Sequence, residues 1–311
     1  MNIISLYSGA DNLGDGIIQA GHKIKLCIEL NKDCCDTIKL NHPGIEVING
    51  KVSDYLTTLP KCDAVVGGAP CQVHSIANSN RTHDLCEVHN FFKAVDVSKA
   101  KYHFMENVPQ LYKVFKKSNF LVNCADYGVP QTRKRRIFTN LPLPKPTHSK
   151  TPSVGLFDTS LKKWKSVKDA LGLDGIIQDR KITYGSDKWR EYSTDRPSIT
   201  IHTDSRMWFV SPTGFKDKKK KQISRSVDEP IMTIVAGNDY QFTDKPVMST
   251  SYHQYKNDYK VIRKLNNNEL AILQDFRSDF KFAGGKTSIK RQIGNALPST
   301  ISRLFFTGVV A

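Results

Sequence analysis

No run of apolar residues in this 311-residue chain is long enough to span a bilayer. Nor does a basic region precede an apolar stretch at the N-terminus, which opens almost directly on the strand-like Ile3-Ile4-Ser5-Leu6. The expectation is a soluble, cytoplasmic protein without membrane association. Cysteines are few and scattered: Cys27, Cys34, Cys35, Cys62, Cys71, Cys86 and Cys124 make an odd number, with no Cys-x-x-Cys spacing and no nearby histidine pairs. That argues against a disulfide framework and against structural zinc, so the thiols are read as reduced and no metal is expected. Acidic residues are also short, 30 against 46 Lys and Arg, for a formal charge of +16. The excess favours a polyanionic partner, because neutralising phosphates releases counterions and gives sequence-independent affinity. On charge alone, a lysine-rich protein with no such partner is an equal alternative.

Residues 1 to 142 alternate short apolar runs with helical patterns. Ile3 to Tyr7 gives way to a helix over Leu13 to Ala20, and Ile24 to Glu29 precedes another over Asp33 to Leu40. Such alternation predicts a parallel sheet covered by helices. Gly9 and Gly14 bracket the first strand-to-helix turn, and Glu29 ends the second strand about twenty residues later, the spacing at which an acid bonds the ribose of an adenosine cofactor. From Pro142 the texture changes to a Lys-, Ser-, Thr- and Asp-rich stretch with short β-like pieces, reaching to Tyr259. Within it Ser193 to Ile201 echoes Ser226 to Ile234, which predicts paired β elements of a small domain or a coincidence of composition. Leu265 to Phe276 then reads as an amphipathic helix with Asn266 as N-cap and Glu269 three residues on, and Thr300 to Val310 as a final helix.

Four blocks carry the chemistry. Pro70-Cys71-Gln72 follows Ala64-Val65-Val66 and Gly67-Gly68-Ala69, so Cys71 falls where a buried strand opens into a loop. A thiol there is a candidate nucleophile, since proline stiffens the approach and glycines admit a ligand to the backbone; a small buried apolar cysteine is the commoner alternative. Glu106-Asn107-Val108 ends another apolar stretch, Gln131-Thr132-Arg133-Lys134-Arg135 precedes Ile137-Phe138, and Gln292-Ile293-Gly294-Asn295-Ala296 comes near the C-terminus. In this order, from Ile3 to Pro298, the blocks resemble those of the cytosine carbon-5 DNA methyltransferase family, whose Pro-Cys-Gln, Glu-Asn-Val and Gln-x-Arg-x-Arg motifs are matched residue for residue.

The resemblance implies an α/β fold: a doubly wound, Rossmann-like methyltransferase sheet with a smaller β-rich target-recognition domain inserted before the C-terminal helices. The division expected is 1–142 for catalysis and cofactor, 143–260 for target recognition, and 261–311 returning to the catalytic domain. It implies methyl transfer from S-adenosylmethionine to carbon-5 of a flipped-out cytosine in a specific duplex DNA sequence, through attack of Cys71 on carbon-6. Glu106 would hydrogen-bond or protonate N3, Arg133 would hold O2, and Arg135 would bind phosphate or orient Glu106. Tyr7, Gly9, Glu29, Leu30, Val52, Pro70 and Asn295 would bind the cofactor. Gln72, Ser75 and Arg81 belong to a loop, 72–84, suited to close over the base, while Thr233 and Ile234 resemble a family recognition pair. Lys218 and Lys219, in a run extending to Lys221, would meet phosphates. Duplex DNA is the implied partner, for a monomer with a cognate restriction endonuclease acting separately.

The chain departs from the family in three places. Its first turn reads Tyr7-Ser8-Gly9-Ala10-Asp11-Asn12, lacking two of the family's glycines; Lys51 stands where an acid usually bonds the adenine; and the stretch from Glu106 to Gln131 leaves little room for a helix. Two alternatives stay open on sequence alone: a tRNA methyltransferase on the same scaffold, though the Cys-Phe-Thr segment of the best-known such relative is absent, and a nucleic-acid-binding relative with impaired catalysis.

Overall fold

The computed structural model describes residues 1–70, 85–152, 161–173, 176–183, 186–193, 195–199, 201, 206–210 and 265–311. Cys71, Gln72, Ser75, Arg81, Lys218, Lys219, Thr233 and Ile234 lie outside the described residues, as does the second copy of the internal echo.

The first half alternates as its pattern predicts: β1 (Asn2–Leu6), α1 (Asn12–Gln19), β2 (Lys23–Glu29), α2 (Lys32–Asn41), β3 (Glu46–Asn49), the single turn α3 (Val52–Tyr55), β4 (Ala64–Gly67), α4 (Cys86–Val97) and β5 (Tyr102–Asn107). A 3-10 turn, Pro109–Lys113, takes the place of a crossover helix before β6 (Asn119–Asn123), followed by β7 (Gln131–Thr132) and β8 (Lys134–Thr139). The main sheet has the order β3-β2-β1-β4-β5-β8-β6. Strands β1 to β5 are mutually parallel, while β8 is antiparallel to both of its neighbours. The sheet is thus mixed where the alternation predicted parallel strands only. The link from β6 to β8 contains no crossover helix, so the chain turns back on itself and β8 enters the sheet reversed.

The two-residue period of β1 splits its side chains between the faces. Ile3 joins Ala64, Val66 and Phe104 against α1 and the last helix, whereas Ile4 and Leu6 join Val65 and Met105 against α3 and α4. In α4, Val88, Phe91 and Ala94 recur at helical spacing and are buried. Truncating the wholly buried Phe91 to alanine is a change of the kind that costs about 3–5 kcal/mol.

Beyond the sheet, β9 (His148–Ser149) pairs with β10 (Lys162–Lys163), and α5 (Val167–Leu171) starts at a Ser166 capping box. Strands β11 (Ile176–Thr183) and β12 (Ser186–Ser193), with β14 (Arg206–Val210), form an antiparallel sheet in the order β12-β11-β14. The remaining strand, β13 (Ser198–Ile199), pairs in parallel with β7. The described part of the internal echo therefore pairs with the strand that immediately precedes β8.

Three helices close the chain: α6 (Asn267–Leu273), α7 (Lys286–Asn295) and α8 (Ser299–Phe306). The Asn266–Glu269 capping box opens α6 as expected. The helix stops short of Phe276 because Asp275 turns to φ 65, and α8 stops short of Val310, with Thr307 extended and Gly308 at φ 78. Phe305 and Phe306 pack on Phe104, with ring centroids 5.2 and 5.9 Å away, which fixes α8 to the sheet.

Candidate active site

Leu6 at the tip of β1 pairs with Gly67 of β4, and Gly67 pairs with Met105 of β5. The segments at and beyond these strand ends, Tyr7 to Asn12, Gly68 to Pro70 and Glu106 to Val108, are therefore neighbours around the point where the strand order reverses, the place where open α/β sheets bind ligands. The glycine at 67 is required by close approach, since a Cβ there would lie 2.0 Å from the Leu6 carbonyl oxygen. Asn107, buried on β5, donates from Nδ2 to the Ala69 carbonyl at 3.0 Å and accepts the Val108 N–H at 2.9 Å. It holds the glycine segment that leads into Pro70. Its signal in sequence was its place beside Glu106, but its work as a clamp was not legible there.

Glu106 and Arg135 form one unit. Arg135 Nε lies 2.6 Å from Glu106 Oε1, and both side chains are only 12% exposed. The second oxygen, Oε2, would be 3.3 Å from a Cβ placed on Gly68, so it faces the turn that precedes Cys71. Arg135 Nη1 donates to the Lys134 carbonyl, and among the described residues Nη2 has no partner.

Arg133 is placed differently from its expected role at O2. Its side chain is 1% exposed, with Nη1 donating to the Ile201 carbonyl at 3.2 Å and Nη2 to that of Gly294 at 3.0 Å. Burial, with the repulsion of Arg135, pushes its pKa down to about 9, so it stays charged at neutral pH. The side chain is spent on joining the link between β7 and β8 to α7 and residue 201. Gln131 does similar work, donating to the Leu273 carbonyl and to Gln274 Oε1.

The expected cofactor residues divide. The Glu29 carboxylate accepts the Gly9 N–H and the Asn31 N–H, each at 2.8 Å, and a Cβ on Gly9 would meet nothing within 4 Å. Glu29 thus braces an open glycine turn from the neighbouring strand. Tyr7, at φ 52, donates its hydroxyl to Glu87 Oε2 at 2.6 Å; burial and that carboxylate raise its pKa. Leu30 is 63% exposed, Pro70 and Asn295 are exposed, and Val52, 3% exposed, packs in the core with Leu26 and Ile28. Val52 therefore presents almost no surface to a ligand, a correction to its expected contact. Lys51 is exposed at the start of α3.

The two residues that replace glycines are both engaged. Asp11 holds the left-handed conformation that a glycine would supply, at φ 56, with its carboxylate buried and accepting the Ser5 hydroxyl at 2.8 Å. Asn12 donates to the Leu297 carbonyl at 3.0 Å, which ties the turn to the segment following Asn295. Among the described residues no group of three or more His, Cys, Asp or Glu could hold a metal ion, and no helix is long and apolar enough to cross a membrane.

Residues 1–121 and 112–307 match the sequence profile of the C-5 cytosine-specific DNA methylases. The chain belongs to this family. It is 27% identical to the Type II methyltransferase M1.HphI of Haemophilus parahaemolyticus, over 100% of this chain and 87% of that protein. With M.NgoFVII of Neisseria gonorrhoeae, also a Type II methyltransferase, it shares 27% identity over 95% of this chain and 83% of the relative. Two solved structures share the fold. One is described as a DNA modification methyltransferase encoded within an E. coli prophage, with TM-score 0.56 and 19% identity over 99% of this chain and 98% of that one. The other is a mutant of Spodoptera frugiperda DNMT2, with TM-score 0.57 and 14% identity over 98% and 99%. As a member of this family the protein is a DNA cytosine-5 methyltransferase with a doubly wound α/β core.

Proposed function

We propose that this enzyme methylates carbon-5 of a flipped-out cytosine within a specific duplex DNA sequence, with Cys71 as the covalent nucleophile and S-adenosylmethionine as the donor. The observation that carries the reading is the Glu106–Arg135 pair at the tip of β5, facing the glycine segment that leads into Pro70 and Cys71. Cytosine carbon-5 is a poor nucleophile, and a thiolate bond to carbon-6 moves an electron pair into the ring toward N3 and O2. Groups preset where that charge develops stabilise it. Glu106 Oε2 serves N3 by donating a proton, and Nη2 of Arg135, without a partner among the described residues, serves O2, the task that the resemblance implied for Arg133. Carbon-5 then takes the methyl group and N3 returns its proton to Glu106; loss of the carbon-5 proton to solvent returns an electron pair that expels the Cys71 thiolate and restores the ring. A base stacked in a duplex cannot reach such a site, which requires flipping.

The donor set fits the cofactor. A carboxylate at the end of β2 beside an open glycine turn suits a ribose diol, so Glu29 and Gly9 hold the adenosine, with Tyr7, Leu30, Pro70 and Asn295 bordering the same edge. When bound, S-adenosylmethionine supplies an electrophilic methyl on a cationic sulfur. Orienting that methyl against carbon-5 is the chain's contribution, and such fixing supplies much of the acceleration. Residues 143–260 serve target recognition, with Lys218 and Lys219 on phosphates and Thr233 and Ile234 near the bases; Gln72, Ser75 and Arg81 lie in the loop that covers the flipped base. The enzyme acts as a cytoplasmic monomer beside a separate cognate endonuclease.

The test is transfer of labelled methyl from S-adenosylmethionine to mixed-sequence duplex DNA and to total tRNA, with Cys71→Ser as control. Label on DNA alone, lost in the variant while cofactor binding persists, supports the reading. Label on tRNA moves the substrate to RNA, and undiminished turnover by Cys71→Ser overturns the covalent step.

A further inference from the structure

We infer that the buried Asp11 carboxylate makes the cofactor turn selective for a cationic ligand, favouring S-adenosylmethionine over its uncharged-sulfur product, S-adenosylhomocysteine. The inference rests on the proposal that residues 7–29 bind the cofactor. Asp11 stands two residues beyond Gly9 in the same turn, where its N–H donates to the Ser8 carbonyl and its own carbonyl accepts the Asp15 N–H. The carboxylate is enclosed: Oδ1 accepts from Ser5 Oγ at 2.8 Å, and Oδ2 accepts from Cys27 Sγ at 3.5 Å. Helix α1 is moulded around it, since a Cβ on Gly14 would fall 2.0 Å from Oδ2.

The charged groups around this carboxylate are assigned elsewhere. On α1, Asp15 takes the guanidinium of Arg277 at 3.1 Å and the ring of His42, beyond the end of α2, at 3.4 Å. Burial would raise the Asp15 carboxyl, but its bond to His42 and the charge of Arg277 hold it low. From β2 the facing group is the Cys27 thiol, which burial and Asp11 itself keep protonated. Among the described residues, Asp11 is left with uncharged donors only. Burial raises its pKa to about 6, opposed by the Ser5 bond, the charge of His42, the Cys27 thiol and the Gly14 amide, so at neutral pH it is an anion lacking a directly bonded cation. Such a charge is costly inside a protein unless a cation comes near it. The sulfonium is the charge by which donor and product differ; their ammonium and carboxylate groups are common to both and cancel in a ratio.

At an effective dielectric constant of about 20, the attraction of one unit charge for another changes a binding constant by a factor on the order of four to fifteen. Calorimetric dissociation constants of both ligands for the full chain, wild type and Asp11→Asn, at pH 7.5 and pH 5, test the proposal. The preference for S-adenosylmethionine should fall by such a factor in Asp11→Asn at pH 7.5. In the wild type it should fall similarly between pH 7.5 and 5, and in the variant, which lacks the Asp11 carboxyl, it should hardly move. A variant with the wild-type ratio, or a wild-type ratio flat with pH, overturns the proposal. Should Asp11→Asn fail to fold, the wild-type pH series decides alone. Absence of heat with either ligand would instead remove the cofactor reading, and this proposal with it.

Discussion

Exchanging the roles of two arginines makes a crossed prediction. Arg133→Ala should be a stability variant and Arg135→Ala a catalytic one. The Arg133 side chain makes two bonds to the carbonyls of Ile201 and Gly294 from a site that is 1% exposed. Bonds to a charged group contribute about 1.5–3 kcal/mol each, and their loss leaves two carbonyls unpaired beside a cavity. Relief of the guanidinium's desolvation offsets part of this, leaving a net loss of about 2–4 kcal/mol. At roughly 2–4 °C per kcal/mol, as for chains of 150–250 residues, a fall in Tm of about 4–16 °C is expected, with kcat per folded molecule changed little.

Arg135 is joined to Glu106 at 2.6 Å and borders the proposed base site. Removing a donor preset for developing charge costs about 10²–10³ in kcat; because the pair is largely buried, its loss also lowers stability, by up to about 3 kcal/mol, so kcat per folded molecule is what distinguishes this variant from Arg133→Ala. Differential scanning fluorimetry and single-turnover methyl transfer, both on DNA-saturated enzyme, separate the two variants. A stable Arg133→Ala with kcat down a hundredfold, beside an active Arg135→Ala, would return O2 to Arg133 and refute the exchange.

Three further outcomes follow from distances and burial. Glu29→Gln keeps the shape of the carboxylate that receives the Gly9 and Asn31 amides but removes its charge, and should weaken calorimetric cofactor affinity about tenfold; an unchanged affinity would take Glu29 out of the site. Gly14→Ala should cost about 1–3 kcal/mol, because its Cβ would fall on the Asp11 carboxylate, and Asp11→Gly should remove most of that cost; additive losses in urea denaturation would contradict the packing. Burial and the charge of Lys117 depress the His103 pKa from 6.5 to about 4, so the unfolded chain binds the extra proton in that interval and stability falls as pH drops through it. The acid limb of the Tm profile between pH 6.5 and 4 should flatten in His103→Gln.

The legible parts of the molecule are those set by local pattern. Ile3 to Leu6, Ala64 to Val66 and Tyr102 to Met105 are apolar runs punctuated by glycine or by polar residues, and each is a strand of the central sheet. Asn266 and Glu269 announce a helix start through bonds only three residues long. The reversed β8 was not legible, because Lys134 to Thr139 carries no mark of its direction; direction follows from the absence of a crossover helix before it. The same limit holds in the site. Glu106 and Arg135 could be picked out as a carboxylate and a cation in matching motifs, yet nothing in Gln-Thr-Arg-Lys-Arg tells which arginine turns inward. That is decided by carbonyls at 201 and 294, far along the chain, which only the fold brings to Arg133.

The first turn shows most sharply how side chains can replace glycine. Loss of glycine at 11 demands a residue that tolerates a left-handed backbone, and aspartate is among the few that do so at modest cost. Its carboxylate then needs room inside α1, which Gly14 provides by lacking a Cβ, and donors, which Ser5 and Cys27 provide from adjacent strands. Loss of glycine at 12 leaves an amide that reaches Leu297, binding the turn to the C-terminal segment. A turn built this way is held by its surroundings, where a glycine-rich turn relies on its own freedom. Mutations at Ser5, Cys27 or Leu297, none of which was a site residue on sequence, should therefore disturb cofactor affinity more than their distance from Gly9 suggests, and calorimetry on Ser5→Ala is the most direct check.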